Sequence, residues 1–246
     1  PGVVAADDLR DGVDDVSLTD DVLAKGRLDV QISISIVTQE PQFYTGGNVE
    51  ATYGNYDAVV LKGYLTGPVS DTIAASIAGG YNRRDGYNRD LGTGDTTNER
   101  NRWFVRGQML FEPDAQLSVR LIADYDKIDE NCCGAVNLQR SSASDVINLL
   151  GGQVPDPNDP FADVVYNNFN STNEIENYGF SGEVDYNLGV LQLMSITAYR
   201  KGNTVTAQDA DFSSADIIYP LSADISIGTF TQEFRASAQF ADVFSA

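Results

Sequence analysis

The side chains able to do chemistry in this sequence are few and unusually spaced. Cys132 and Cys133 are adjacent, so they offer neither the CxxC spacing of a metal knuckle nor a redox pair of ordinary spacing. They fit a loop exposed to an oxidising compartment. Histidine is absent, which removes the commonest metal ligand and the commonest general base and excludes Ser/His/Asp or Cys/His catalysis within these residues. Asp156, Asp159 and Asp163 cluster without the one-three-five spacing and distal Glu of a calcium loop, so they read as solvated loop charge. Arg102, Arg106, Arg120 and Asp124 remain, each set inside an apolar run. No catalytic group, cofactor site or metal site is expected, and the chain is read as a non-enzyme.

Sixteen Lys and Arg against 36 Asp and Glu leave a formal charge of -20, which would repel a phosphate backbone and argues against nucleic acid as a partner. No stretch approaches the ~20 consecutive apolar residues of a membrane helix. Residues 1–20 are acidic, unlike a secretion signal. The chain is therefore soluble or crosses a membrane as strands.

Strands are what must position those charges. Apolar residues alternate with a period of two in eight runs, near 48–56, 58–67, 71–83, 101–112, 116–127, 175–187, 190–201 and 225–240. Several reach the ~9 to 11 residues needed to cross a bilayer at a tilt. One face reads Val59, Leu61, Gly63, Leu65, then Ile73, Ala75, Ile77, Gly79, Tyr81, and in the next runs Trp103 to Phe111 and Leu117 to Tyr125, without a charge. The opposite face holds Arg102, Arg106, Arg120 and Asp124 among other polar groups, as in a barrel with lipid outside and a polar lumen. These four are accordingly expected to be lumen-facing.

A soluble β-sandwich also alternates, and the connections separate the two. Those at 67–71, 112–116 and 187–190 are tight, whereas 84–100, 128–174 and 202–224 are long. Strict alternation of short and long suits a membrane barrel with short periplasmic turns and long outer loops. On that path Tyr53, Tyr81, Trp103, Tyr125, Tyr178 and Tyr199 fall near the outer strand ends, as an aromatic girdle at headgroup level. Within the longest loop a short helix is expected through residues 145–150, capped by Ser144, before the irregular stretch GGQVPDPNDPFAD at 151–163.

Several segments resemble the TonB-dependent receptors of bacterial outer membranes. SIVTQEP at 35–41 is similar to the stretch leading from plug to barrel, and ATYGNYD at 51–57 with LKGYLTGPVSD at 61–71 to the first barrel hairpin and periplasmic turn. Further matches are YNRRDGY at 81–87, RWFVRGQMLFEP at 102–113, LSVRLIADYDKIDENCCGA at 117–135, SITAYR at 195–200 and FTQEFRASA at 230–238.

The resemblance implies an all-β protein, an antiparallel transmembrane barrel of about 22 strands of which eight up-and-down strands lie here. It implies a plug remnant with the plug-to-barrel connection at 1–45 and the N-terminal part of the barrel at 46–246. GVDDVSL at 12–18 looks like a plug strand, whereas 19–34 departs from the family pattern. The energy-coupling box is missing and DVFSA lacks the terminal aromatic of a finished barrel, so a segment of a longer chain is expected. The family imports scarce ligands such as ferric siderophores, cobalamin or glycans, driven by the TonB–ExbB–ExbD complex, from the outer membrane of Gram-negative bacteria. The lumen charges would contact plug or ligand, or pair with one another. Passage through an oxidising periplasm leads us to expect a vicinal Cys132–Cys133 disulfide, with free thiols as the alternative. Two other readings stay open: a complete eight-stranded outer-membrane barrel with a structural or adhesion role, and a soluble secreted carbohydrate-binding sandwich.

Overall fold

The computed structural model describes residues 18–23, 27–32, 38–218, 220–241 and 244–245, with side chains for 38–218 and 220–238. Two compact units divide at Glu40 and Pro41. In the first, β1 (Leu18–Leu23) and β2 (Arg27–Ile32) form an antiparallel hairpin. Residues 12–17 of the plug-like motif, and 35–37 of the SIVTQEP segment, lie outside the described residues.

The second unit contains β3 (Gly46–Gly54), β4 (Ala58–Ser70), β5 (Ile73–Arg84), β6 (Asn88–Asp90), β7 (Thr96–Thr97), β8 (Arg100–Phe111), β9 (Leu117–Asn131), α1 (Ser142–Leu149), β10 (Val164–Val165), β11 (Thr172–Asn187), β12 (Leu191–Gln208), β13 (Leu221–Ala241) and β14 (Phe244–Ser245). One antiparallel sheet runs β3-β4-β5-β8-β9-β11-β12-β13-β14. Each strand pairs with the next of that order in the chain, because each connection returns the backbone to the edge it has just left.

All eight expected strands are present. Several extend further, β12 to Gln208 and β13 back to Leu221, since the ladder between them continues from Lys201–Gly228 to Gln208–Leu221. Gly202 and the polar residues after it break the alternation, but backbone pairing needs no side-chain pattern.

Almost nothing apolar is buried. Among the described residues the buried hydrophobic side chains are Ala74, Leu110, Ile147 and Val165. The uncharged face instead lies open, with Val49 86% and Phe230 67% exposed. A sandwich would pack that face on a second sheet, whereas a membrane barrel leaves it for lipid. Nor is the sheet closed: β3 and β14 are its two edges, not partners, unlike a finished eight-stranded barrel.

The short connections at 71–72, 112–116 and 188–190 share one rim. The long ones at 85–99, 132–171 and 209–220 share the other, together with a tight turn at 55–57. That turn places Tyr56 at φ 61° and Asp57 at φ 50°, and the Ala58 N–H donates to the Asn55 carbonyl at 3.3 Å. Two positive-φ residues match the right-handed twist of a hairpin, but without an Asn-Gly or Asp-Gly pair the sequence signal was weak.

Candidate functional site at the long-loop rim

Strand register places every even-numbered position of β8 and β9 on the polar face. Arg102 grips Glu130 through Nε at 2.5 Å and Nη2 at 2.9 Å. Glu130 is buried and also accepts the Asn101 N–H at 3.1 Å, so this wall fastens the upper ends of β8 and β9. Arg106 lies opposite Asp124, 3.9 Å away, and Asp124 is held more closely by Arg200 of β12 at 2.8 Å. Arg120, only 6% exposed, donates to the Gln108 Oε1 at 3.2 and 2.8 Å. The four charges singled out from the sequence therefore share a face but occupy three separate clusters. Arg200 was missed because its partner lies 76 residues away.

The aromatic residues occupy the other face, towards its long-loop end. Tyr81 stands opposite Trp103, Tyr125 opposite Tyr178, and Tyr199 between Phe180 and Phe230. Trp103 stacks on Tyr125 at 5.0 Å between ring centroids. Tyr53 on β3 sits one rung above Tyr81, Tyr125 one rung below Trp103, and Tyr199 one below Tyr178. The row thus slides three rungs, of two residues each, over the seven steps from β3 to β13. A slide of about one residue per strand, ~3.3 Å along for ~4.8 Å across, corresponds to a tilt of roughly 35°, that of barrel strands. Below this row and away from the turns, the face is interrupted by Ser195, Thr197 and Gln232, which bond one another: Thr197 Oγ1 to Gln232 Oε1 at 2.6 Å and Gln232 Nε2 to Ser195 Oγ at 3.1 Å.

Beyond the aromatic row, three long loops are knitted into a cap by buried carboxylates. Asp90 accepts the N–H groups of Gly92 and Asn167 through Oδ1, both at 2.9 Å, and the Asn167 side-chain amide through Oδ2 at 2.8 Å. It thereby ties loop 85–99 to loop 132–171, reinforced by the small sheet β10-β6-β7. Asp209 does the same for loops 132–171 and 209–220. Its Oδ2 accepts the Asn168 N–H at 3.0 Å, and its Oδ1 those of Asp211 and Phe212 at 3.1 and 3.0 Å. Burial pushes the Asp209 carboxyl above the usual carboxylate range, a shift partly opposed by those N–H donors.

Cys132 and Cys133 stand at the junction of the first two loops, with Sγ atoms 2.09 Å apart. Thr97 Oγ1 donates to the Cys132 carbonyl at 3.0 Å, and the Cys133 N–H to Asn98 Oδ1 at 3.0 Å. Helix α1 begins three residues earlier than expected, at Ser142 instead of Asp145. Its cap is Ser141, whose extended backbone cannot continue the helix, while Ser144 lies within the first turn and accepts the Ser141 N–H at 3.4 Å. Asp156 is engaged locally, accepting from Asn158 at 2.9 and 3.0 Å. Among the described residues no group of three His, Cys, Asp or Glu side chains is placed to hold a metal ion.

No protein-family model matches the sequence, and no curated protein matches it. Solved structures do match by fold. The ferric yersiniabactin uptake receptor of Yersinia pestis superposes with a TM-score of 0.64 at 17% identity, over 84% of this chain and 30% of that receptor. The ferric-catecholate import receptor of E. coli K12 gives 0.65 at 12% identity, over 88% and 34%. The outer-membrane ferripyoverdine receptor of Pseudomonas aeruginosa gives 0.60 at 14%, over 89% and 28%. The chain spans about a third of these receptors' length or less, and its fold is an antiparallel β-barrel segment of the kind found in TonB-dependent receptors.

Proposed function

We propose that this chain is part of an outer-membrane TonB-dependent receptor that imports a scarce ligand, with residues 1–45 belonging to the plug and its connection and 46–246 opening the barrel. The observation that carries this reading is the aromatic row. Its slide of about one residue per strand gives a barrel tilt, and between it and the short-turn rim its own face carries no charge, while Arg106, Arg120 and Asp124 lie on the other. On this reading the open apolar face meets lipid, and Tyr53, Tyr81, Trp103, Tyr125, Tyr178 and Tyr199 mark the outer headgroup level. Arg102, Arg106, Arg120 and Asp124 line the lumen, and the knitted loops form the extracellular entrance. The Cys132–Cys133 bridge locks the base of that entrance.

A ferric siderophore is the first ligand to test, since similar structures are named as receptors for ferric yersiniabactin, for ferric catecholates and for a siderophore. Energy would come from TonB–ExbB–ExbD in the complete protein. The test is uptake of radiolabelled ferric siderophores by cells carrying or lacking the complete gene. Uptake that needs both the gene and the proton gradient supports the reading. A gene product recovered in the soluble fraction would sink it.

A further inference from the structure

β13 reverses its amphipathy where it passes the aromatic row. Between Phe230 and the short-turn rim the lipid-side positions are Phe230, Gln232, Phe234 and Ala236, while Thr229, Thr231, Glu233 and Arg235 point to the lumen. Beyond the row the pattern inverts: Ser222, Asp224, Ser226 and Gly228 lie on the outside, and Leu221, Ala223, Ile225 and Ile227 on the inside. Ile227 and Ile225 lie three and five residues past Phe230, roughly 8 to 14 Å beyond the headgroup level at a 35° tilt. Both faces are in water at that height. An inward stripe with Ile225 49% and Ile227 62% exposed thus has no solvent reason to be apolar.

The stripe walls a groove. Ile227 faces Gly202 across the ladder, and a Cβ there would come within 2.7 Å of Asn177 Oδ1, so glycine keeps the trough open. Thr204, Thr229 and Thr231 add hydroxyls, and Arg200 lies at its foot. Arg200 lies over Gly179 with one nitrogen spent on Asp124 at 2.8 Å, yet its side chain remains 55% exposed and lines the groove. Two other arginines on this wall differ: Arg120 is buried and Arg102 is taken bidentately by Glu130. A mostly apolar trough with a few convergent donors is the make-up of a small-molecule site.

We propose that this groove is a ligand subsite in the extracellular vestibule, taking a ligand that presents an apolar or aromatic body to Ile225 and Ile227 and a carboxylate to Arg200. The assignment rests on the receptor reading above and narrows it, since such a site disfavours a neutral glycan. Saturation-transfer NMR on the complete protein in lipid nanodiscs tests it, with benzoate, benzamide and glucose as probes. Benzoate should bind about tenfold more tightly than benzamide, as a charge-assisted contact is worth roughly twice a neutral one, and glucose should give no signal.

Arg200→Gln should equalise benzoate and benzamide, Arg200→Lys should restore part of the preference, and Ile227→Ser should weaken both aromatic probes about tenfold. Benzoate binding that ignores Ile227→Ser and Arg200→Gln, or glucose binding in place of benzoate, overturns the subsite. These outcomes are independent of uptake: a protein that binds benzoate as stated but transports nothing keeps the groove and loses the transport reading.

Discussion

At the scale of single residues, the receptor reading proposed above has one step along a strand change solvent. On it, Leu121, two rungs below Tyr125, lies about 11 Å beneath the headgroup level, near the middle of a ~25 Å apolar band. Leu121→Arg should cost about 2 to 4 kcal/mol in the refolded complete barrel, whereas Ile122→Arg, facing the lumen, should cost far less. Equal penalties in denaturant titrations would refute the face assignment. Arg120 is no neutral control for this comparison, since replacing it removes the two hydrogen bonds that it donates to the Gln108 Oε1. Asp209 gives a pH test. Its carboxyl titrates above the unfolded value, so its contribution to the cap is complete below the unfolded pKa and is lost as pH rises through the folded one. Hydrogen exchange at Asn168, Asp211 and Phe212, corrected for intrinsic rates, should show protection falling over that window. Asp209→Asn should flatten the dependence, and a flat wild-type profile would remove Asp209 as its cause.

At the scale of elements, the cap depends on where its loops meet more than on what each contains. Loop 85–99 holds two short strands, of which β6 pairs in parallel with β10, from a loop more than 70 residues later. The Asp90 carboxylate makes that meeting stable. Asp90→Ala leaves the Asn167 and Gly92 N–H groups without their acceptor and should destabilise the cap by on the order of 3 kcal/mol, with Asp90→Asn milder. Limited proteolysis of the complete protein should then cut within 132–171 at much lower protease concentration in Asp90→Ala. Unchanged cleavage would mean that the small sheet alone holds the loops.

At the scale of the whole molecule, the chain has two exposed surfaces that water does not suit. One is the apolar face, and the other is the pair of sheet edges, β3 and β14, which do not pair with each other. Expressed by itself, residues 1–246 should aggregate or require detergent, because unpaired strand edges recruit other strands and a bilayer cannot satisfy them. A monodisperse monomer in plain buffer, by light scattering, would contradict the barrel reading.

The eight strands, their two faces and the aromatic row were legible in the sequence because side chains alternate by purely local geometry, and one of the two faces carries no charge between the row and the short turns. The reversal along β13 is equally local, though its meaning depends on the height set by neighbouring strands. What only the tertiary structure decided are meetings between residues far apart. The second guanidinium on Asp124, the Asp90 contact with Asn167, the Asp209 contact with Asn168 and the continuation of β12 through Gly202 to Gln208 are of this kind. No periodicity announces them, because a hydrogen bond is satisfied by whatever group the fold brings within about 3 Å, and loops meet through the register of the strands beneath them.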